Sequence, residues 1–349
     1  MKLSKLQTEI IENSAPRAVV MAAAASGKTR TLTEKARNLL RQGVDPRTIA
    51  IITFTNMAAA ELRKRLDTDY KDGMFIGTIH SLANQMLVTH GIDTSKLIND
   101  EDFDKLFSLL EVHPECVRHY QWVLLDEAQD SGEEEFQFVL GLIDPENFWF
   151  FGDVRQSIYG FKGARPDLLL GIMRRQDVKV FDMNENYRNG YNILEFARRI
   201  IRPNGLSDSS IAMRFGENGI VKELTFSFHT IVELIQKEPS YKDWAVLVRT
   251  NNELSDVATV LKKANIPYDT FRQGDLKLGE LEERMAQDKV KVLTIHSAKG
   301  LEWNNVIVVG ARFWNDEERN VCYVAATRAR NQLYWMTEQK KQYKKMNRW

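Results

Sequence analysis

Cysteine is nearly missing from this sequence. Of 349 residues only Cys116 and Cys322 carry a thiol, too few for a disulfide framework or a cysteine-rich metal site. The six histidines show no ligand spacing with carboxylates or thiols, which removes a zinc site of the usual kind. Proline and glycine are sparse, at 8 and 19, which excludes collagen-like and low-complexity chains. No apolar run approaches the roughly 18 residues of a membrane span, and the opening MKLSKLQTEIIENS lacks the apolar stretch of a secretion signal. A reducing cytoplasm is expected, with no membrane partner. Charge of one sign is absent too, with 48 basic against 48 acidic residues. A protein that coats a polyanion by bulk charge is disfavoured, while a narrow basic groove is still allowed because screening confines each charge to about a Debye length.

What is present is ordinary globular composition, 43% hydrophobic and 28% charged, in a chain long enough for about two domains at ~150 residues each. Short runs rich in Val, Ile and Phe alternate with helix-patterned segments. The first series of strands is expected at Ala18–Met21, Thr48–Thr53, Phe75–Thr78, Trp122–Asp126, Phe148–Phe151 and Val178–Phe181. A second series is expected at Gly219–Thr225, Trp244–Val248, Val290–Ile295, Val306–Val309 and Gln332–Met336, with a helix at Val257–Ala264. The pattern predicts an α/β protein of two parallel-sheet domains, residues 1–183 and 184–338. A tail over 339–349, carrying Lys340, Lys341, Lys344, Lys345 and Arg348 without an acid, reads as a solvated end.

The segment VVMAAAASGKTRTLT, Val19–Thr33, is a strand, a run of small residues, Gly27-Lys28-Thr29 and then a helix. Such a loop lets backbone N–H groups surround a polyphosphate at a helix N-terminus, with Lys28 on the terminal phosphates and the Thr29 hydroxyl on Mg²⁺. Ala22, Ala23 and Ala25 stand where glycine is usual, so a left-handed Ala25 would cost roughly 1 kcal/mol. About one hundred residues on, VLLDEAQD ends an apolar strand in Asp126 and Glu127. Successive side chains at a strand end are expected to point apart, Asp126 toward a metal and Glu127 toward an attacking water. Together the two motifs point to NTP hydrolysis.

With these motifs the sequence resembles the UvrD/Rep family of superfamily 1 DNA helicases, through segments spread from Leu3 to Arg330. The resemblance implies two RecA-like P-loop NTPase domains with the ATP site in the cleft between them. It gives Gln7 of LSKLQ to the adenine, and Ala25, Ser26, Gly27, Lys28, Thr29 and Arg30 to the nucleotide. ITFTNMAAAELRKRL and GTIHSLA look like DNA-contact motifs, carrying Phe54, Asn56 and His80. GDVRQSIYGFKGA implies Gln156 at the γ-phosphate, bases stacked on Tyr159 and Phe161, and Lys162 near the strand. Here the family more often has acids at Val154 and Arg155, Trp at Phe161 and Arg at Lys162, so local positive charge is expected to rise. NYRN implies Tyr187 against adenine and Arg188 on the γ-phosphate, VLTIHSAKGLEW implies His296 near DNA and Glu302 near the ribose, and YVAATRAR implies Arg328 as an arginine finger. Arg188 and Arg328 are expected as surface charges facing the cleft, contributing little to folding.

Full-size members of that family carry large inserted subdomains in two places where this chain has gaps of some forty residues, Leu82–Gln121 and Thr250–Lys291. The first has room for two or three short helices, and the second holds a charged helix, KLGELEERMAQDK. The chain is therefore read as a stripped core: an ATP- and Mg²⁺-dependent single-stranded DNA translocase or helicase, moving 3′ to 5′, on single strands or forked or 3′-tailed duplex. Replication, repair or recombination proteins would be its partners. The expected location is cytoplasmic, at the nucleoid or in the host cytoplasm of a phage. The alternative is a nucleotide-gated DNA-binding regulatory subunit of a larger repair or phage replication assembly. RNA stays open as a track, because stacking platforms ignore the sugar.

Overall fold

Runs that are apolar at almost every position, such as Ile49–Thr53, Trp122–Leu125 and Trp244–Val248, are stable only as strands covered on both faces, and each is buried along its full length. The computed structural model describes residues 2–66, 73–100, 102–214 and 216–337; the basic tail at 339–349 lies outside them. The described chain divides into two compact units. One comprises the residues up to Ala22, Gly27–Val154 and Tyr159–Met183, and the other comprises Ala23–Ser26, Arg155–Ile158 and the residues from Asn184 onward.

The first unit runs α1 (Lys5–Glu12), β1 (Arg17–Ala22), α2 (Lys28–Arg41), β2 (Ile49–Thr53), α3 (Asn56–Arg65), β3 (Phe75–Thr78) and α4 (Ile79–Thr89). It continues with α5 (Ser95–Asn99), α6 (Asp104–Val112), β4 (Trp122–Leu125), α7 (Glu133–Gln137), β5 (Asn147–Gly152), α8 (Pro166–Met173) and β6 (Lys179–Met183). Its sheet has the order β3-β2-β4-β5-β1-β6, parallel throughout. Val20, Leu32, Ile51, Leu124, Trp149 and Phe151 form a core, each such side chain contributing about 1.5–3 kcal/mol by burial.

The second unit runs β7 (Glu185–Asn186), α9 (Tyr191–Ile201), β8 (Ile211–Ala212), β9 (Ile220–Thr225), α10 (Phe228–Gln236), β10 (Trp244–Val248) and α11 (Asn251–Lys263). Then come β11 (Tyr268–Asp269), α12 (Leu278–Ala286), β12 (Val290–Thr294), β13 (Trp303–Val308), α13 (Asp316–Ala326) and β14 (Ala329–Thr337). The larger sheet is ordered β11-β12-β10-β13-β14-β9, again parallel, over a core that includes Ile231, Trp244, Val246, Val257, Ile307 and Met336. β13 and β14 begin three residues earlier than the apolar pattern suggests, because Asn304, Asn305, Arg330 and Asn331 interrupt the hydrophobic run; the pairing continues past them with a register shift between Trp303 and Asn305. The two-residue strands β7, β8 and β11 are too short to carry a period.

Candidate active site

In a parallel sheet the residues just past the carboxyl ends of the strands converge on one edge. In the first unit that edge receives the residues after β1, β2, β3, β4 and β5. Ser4 caps α1 reciprocally with Gln7, whose backbone N–H bonds Ser4 Oγ at 3.1 Å while Gln7 Oε1 accepts from Ser4 N at 3.0 Å. The capping box thus orients the Gln7 amide, and its Nε2 lies so close to Gly27 that a Cβ there would sit 2.7 Å away. Gly27 takes φ +83° and opens α2 without a side-chain cap or an acid in the first turn, leaving the helix N-terminal amides to an anion.

Lys28 Nζ lies 2.5 Å from Glu127 Oε1 and 3.2 Å from Asp126 Oδ1. The two carboxylates therefore converge, and the expectation that they point apart is corrected. The strand has already ended at Leu125, and Glu127 adopts φ 54°, which swings its side chain back beside that of Asp126. Burial works against the Lys28 ammonium, yet the two carboxylates outweigh it and hold the lysine more firmly protonated. Burial pushes the Asp126 carboxyl upward against the pull of Lys28. Thr29 Oγ1 is 3.4 Å from Asp126 Oδ2, placing a hydroxyl and a carboxylate side by side. Arg30 is half-buried on the next position of α2.

Around the same edge, Phe54 and Tyr159 stack on each other with ring centroids 5.0 Å apart, so each covers one face of the other. Phe161 is 68% exposed, and Lys162 Nζ stands 5.6 Å from the Tyr159 ring. Burial, with Asp130 and Glu127 nearby, raises the Tyr159 phenol. Asn56 is exposed at the start of α3, and His80, its pKa lowered by burial, packs 5.0 Å from Phe103. A cavity of about 730 Å³ lies among Phe54, His80, Asp104, Asp130, Glu134 and Lys162.

In the second unit, Asn186 Nδ2 donates to Ala24 O at 2.8 Å and Tyr187 N to Ala25 O at 3.1 Å, holding Ala25 at the φ of 58° that its position requires. Ser26 is buried beside it. Arg188 Nε pairs with Glu302, which also accepts from Arg330 at 2.8 Å. Burial would raise Glu302, but Arg188 and Arg330 hold its carboxyl below the usual range. Gln156 Oε1 accepts from Arg328 NH2 at 3.3 Å, and Gln156 O from Lys299 Nζ at 3.0 Å. His296 Nε2 is 3.2 Å from Ile158 O, with its pKa lowered by burial and by Arg249.

Three expectations are corrected here. Arg188 is no open surface charge, since its side chain is 11% exposed, pairs with Glu302 and donates to Thr327 O at 3.2 Å. Arg155 adds no exposed positive charge, because it is buried in an ion pair with Asp208 at 2.9 Å. Arg328 is no open surface charge: it is 2% exposed and donates to Val324 O, Leu301 O and Thr327 Oγ1 at 3.0, 3.2 and 3.2 Å. An arginine just past the end of a helix that is buried almost throughout finds its partners among nearby carbonyls.

A model of the UvrD/REP helicase N-terminal domain matches residues 3–113 and 102–177, and one of the UvrD-like helicase C-terminal domain matches 181–276 and 269–340. The chain belongs to the UvrD/Rep helicase family. Relatives include ATP-dependent DNA helicase PcrA of Leuconostoc citreum, 26% identical across 76% of this chain and 49% of that protein. ATP-dependent DNA helicase Rep of Escherichia coli is 25% identical across 77% and 55%, and a probable DNA helicase of Mycoplasma pneumoniae 23% across 90% and 79%. The chain spans about half the length of the first two. Within this UvrD-like core, sequence reading passed over three buried polar side chains beside the motifs. Gln129, fully buried, donates to Glu127 Oε2 at 2.5 Å and accepts from Asp153 N at 3.0 Å. Asn189 donates to Thr327 O and Ala329 O at 3.1 and 2.5 Å, and to it Asn186 donates at 2.9 Å. Their signal was their place inside DEAQD and NYRN, where only the neighbouring residues carried an obvious chemistry.

Proposed function

We propose that this chain is a Mg²⁺- and ATP-dependent motor on single-stranded DNA, moving 3′ to 5′. The observation that carries it is the Lys28–Asp126–Glu127 cluster at the uncapped N-terminus of α2. The site's chemistry fits the nucleotide: a helix N-terminus without a side-chain cap and an ammonium suit phosphate oxygens, and Thr29 with Asp126 suits a hard cation. Mg²⁺ keeps water and phosphate as most of its six ligands, so one hydroxyl and one carboxylate from the chain are enough to hold it. When bound, the metal supplies positive charge to the phosphates. Lys28 binds the terminal phosphates, Glu127 orients and deprotonates water with Gln129 fixing its carboxylate, and Gln7 meets the adenine. The resemblance gives Gln156, Arg188, Arg328, Tyr187 and Glu302 to the same nucleotide, so turnover reports on both units. The resemblance gives bases to Phe161, Tyr159 and Phe54; an exposed ring such as Phe161 would stack one at about 1–3 kcal/mol regardless of sequence. This lets a net-neutral chain hold a strand.

ATP turnover on single strands of increasing length tests the reading. A translocase speeds up with track length, whereas a nucleotide-gated binding subunit does not. Lys28→Ala is expected to abolish both nucleotide binding and turnover, and Glu127→Gln to keep binding while turnover falls ~10²- to 10⁴-fold. Parent-like hydrolysis by Glu127→Gln rejects the assignment.

A further inference from the structure

Arg155 stands next to Gln156 at a position where the family resemblance leads one to expect an acid, and its guanidinium is bonded to a carboxylate inside the second unit. Its NH1 donates to Asp208 Oδ1 at 2.9 Å and to Ser207 O at 3.3 Å. The Asp208 side chain is fully buried and accepts three further bonds, from Ser210 N at 2.9 Å, from the Ser210 hydroxyl, and on Oδ2 from Tyr323 OH at 2.9 Å. One carboxylate thereby ties together the segment Arg155–Ile158, the loop Ser207–Ser210 and helix α13. Burial would raise that carboxyl, and the guanidinium with the hydroxyl and amide donors holds it low instead.

The two ends of this tie lead to one place. From Arg155 the next residue is Gln156. From Tyr323, α13 runs to Ala326, and the chain passes through Thr327 to Arg328, whose NH2 reaches Gln156 Oε1 at 3.3 Å. Asn320, also on α13, donates to Ser157 O at 3.0 Å. A buried ion pair is a poor source of net stability, since desolvating both charges cancels most of their attraction. Its geometry is nevertheless specific, because a planar guanidinium facing a carboxylate whose other lone pairs are taken has one good orientation.

We propose that Arg155 is a positioning residue: through Asp208 and Tyr323 it holds the Gln156 amide and the Arg328 guanidinium in hydrogen-bonding register. The two groups then meet a γ-phosphate as one unit. The kinetic consequence rests on the ATPase reading above; the geometric one does not.

The full chain is compared with Arg155→Met, Arg155→Lys, Asp208→Asn and the double variant R155M/D208N. The double variant leaves no unpaired buried charge and keeps the test open if a single variant fails to fold. Turnover in the double variant is expected to fall 10- to 100-fold with the KM for ATP within about twofold, because a misplacement of about 1 Å costs catalysis far more than binding. It should be no slower than Arg155→Met, and Arg155→Lys should recover part of the loss. Without nucleotide, hydrogen exchange in a peptide spanning residues 153–160 should quicken in the double variant while β12 and β13 keep the parent rate. Unchanged exchange there overturns the proposal, as does unchanged turnover or a loss that tracks the unfolded fraction. A parent chain that hydrolyses no ATP removes the motor reading, and the exchange arm then decides the role of Arg155 by itself.

Discussion

Ala25 and Glu127 hold φ of 58° and 54°, a region that costs a side-chain-bearing residue roughly 1–2 kcal/mol, and each is kept there by a hydrogen bond beside the phosphate loop. Ala25 O accepts from Tyr187 N, and Glu127 N donates to Asp126 Oδ1 at 2.9 Å. The motif spacing made the acids and the lysine legible as partners, but the backbone turn that brings both carboxylates onto Lys28 has no signature in residue type. Arg328 shows the same limit, since an arginine in a sequence looks solvated until its carbonyl partners are known. Arg328→Ala is therefore expected to lower stability by about 2–4 kcal/mol, from lost volume and dry acceptors, as well as slowing hydrolysis; a melting midpoint equal to the parent's contradicts the burial. Phe161→Ala is the opposite case. Exposed as the ring is, stability should stay within about 0.5 kcal/mol while affinity for an oligo(dT) strand, read by fluorescence anisotropy, weakens by about 1–3 kcal/mol.

Among elements, α1 docks on α2 through a shared apolar core with a buried lysine in the seam. Lys35 Nζ donates to Asn13 O at 2.5 Å and to Ile11 O at 3.3 Å and lies 4.0 Å from the Trp149 ring centroid. Burial lowers its pKa to about 8. Below that pH the folded and unfolded chains both carry the proton. As pH rises from about 8 toward the unfolded value of 10.5, the folded chain releases its proton first, so this residue makes stability rise through that window. Denaturant midpoints of the parent and Lys35→Met between pH 7.5 and roughly 10 check it: the difference between them should shift toward the parent with pH, and a constant difference removes the lysine as the cause. Sequence made the strands readable because buried parallel strands are mostly apolar along their length, and every expected strand appears within three residues of its expected bounds. The lysine in α2 was not readable, because an amphipathic helix shows a lysine as solvent-facing unless the neighbouring element is known.

For the whole molecule, the lengths of the two gaps matter most. Residues 82–121 hold the rest of α4 with α5 and α6, and 250–291 hold α11, β11, α12 and the start of β12, so neither provides a further subdomain. Separating a duplex costs about 1.4 kcal/mol per base-pair step, whereas on the proposed motor reading Phe161 and its neighbouring rings would supply only single-strand contacts. Translocation is thus expected to outpace strand separation, with unwinding falling steeply as G·C content and duplex length rise. Single-turnover unwinding set against translocation on the same strand without its complement measures this, and equal rates by a monomer defeat it. The sheet order also constrains how the chain is made. β1 pairs with β5 and β6 alone, both encoded far downstream. A ribosome adding ~5–20 residues per second leaves Val19 and Val20 bare on both edges for on the order of ten seconds before a partner emerges. A nascent chain stalled ahead of Asn147 carries an apolar strand with nothing to pair with, the form in which a chain recruits a chaperone or aggregates.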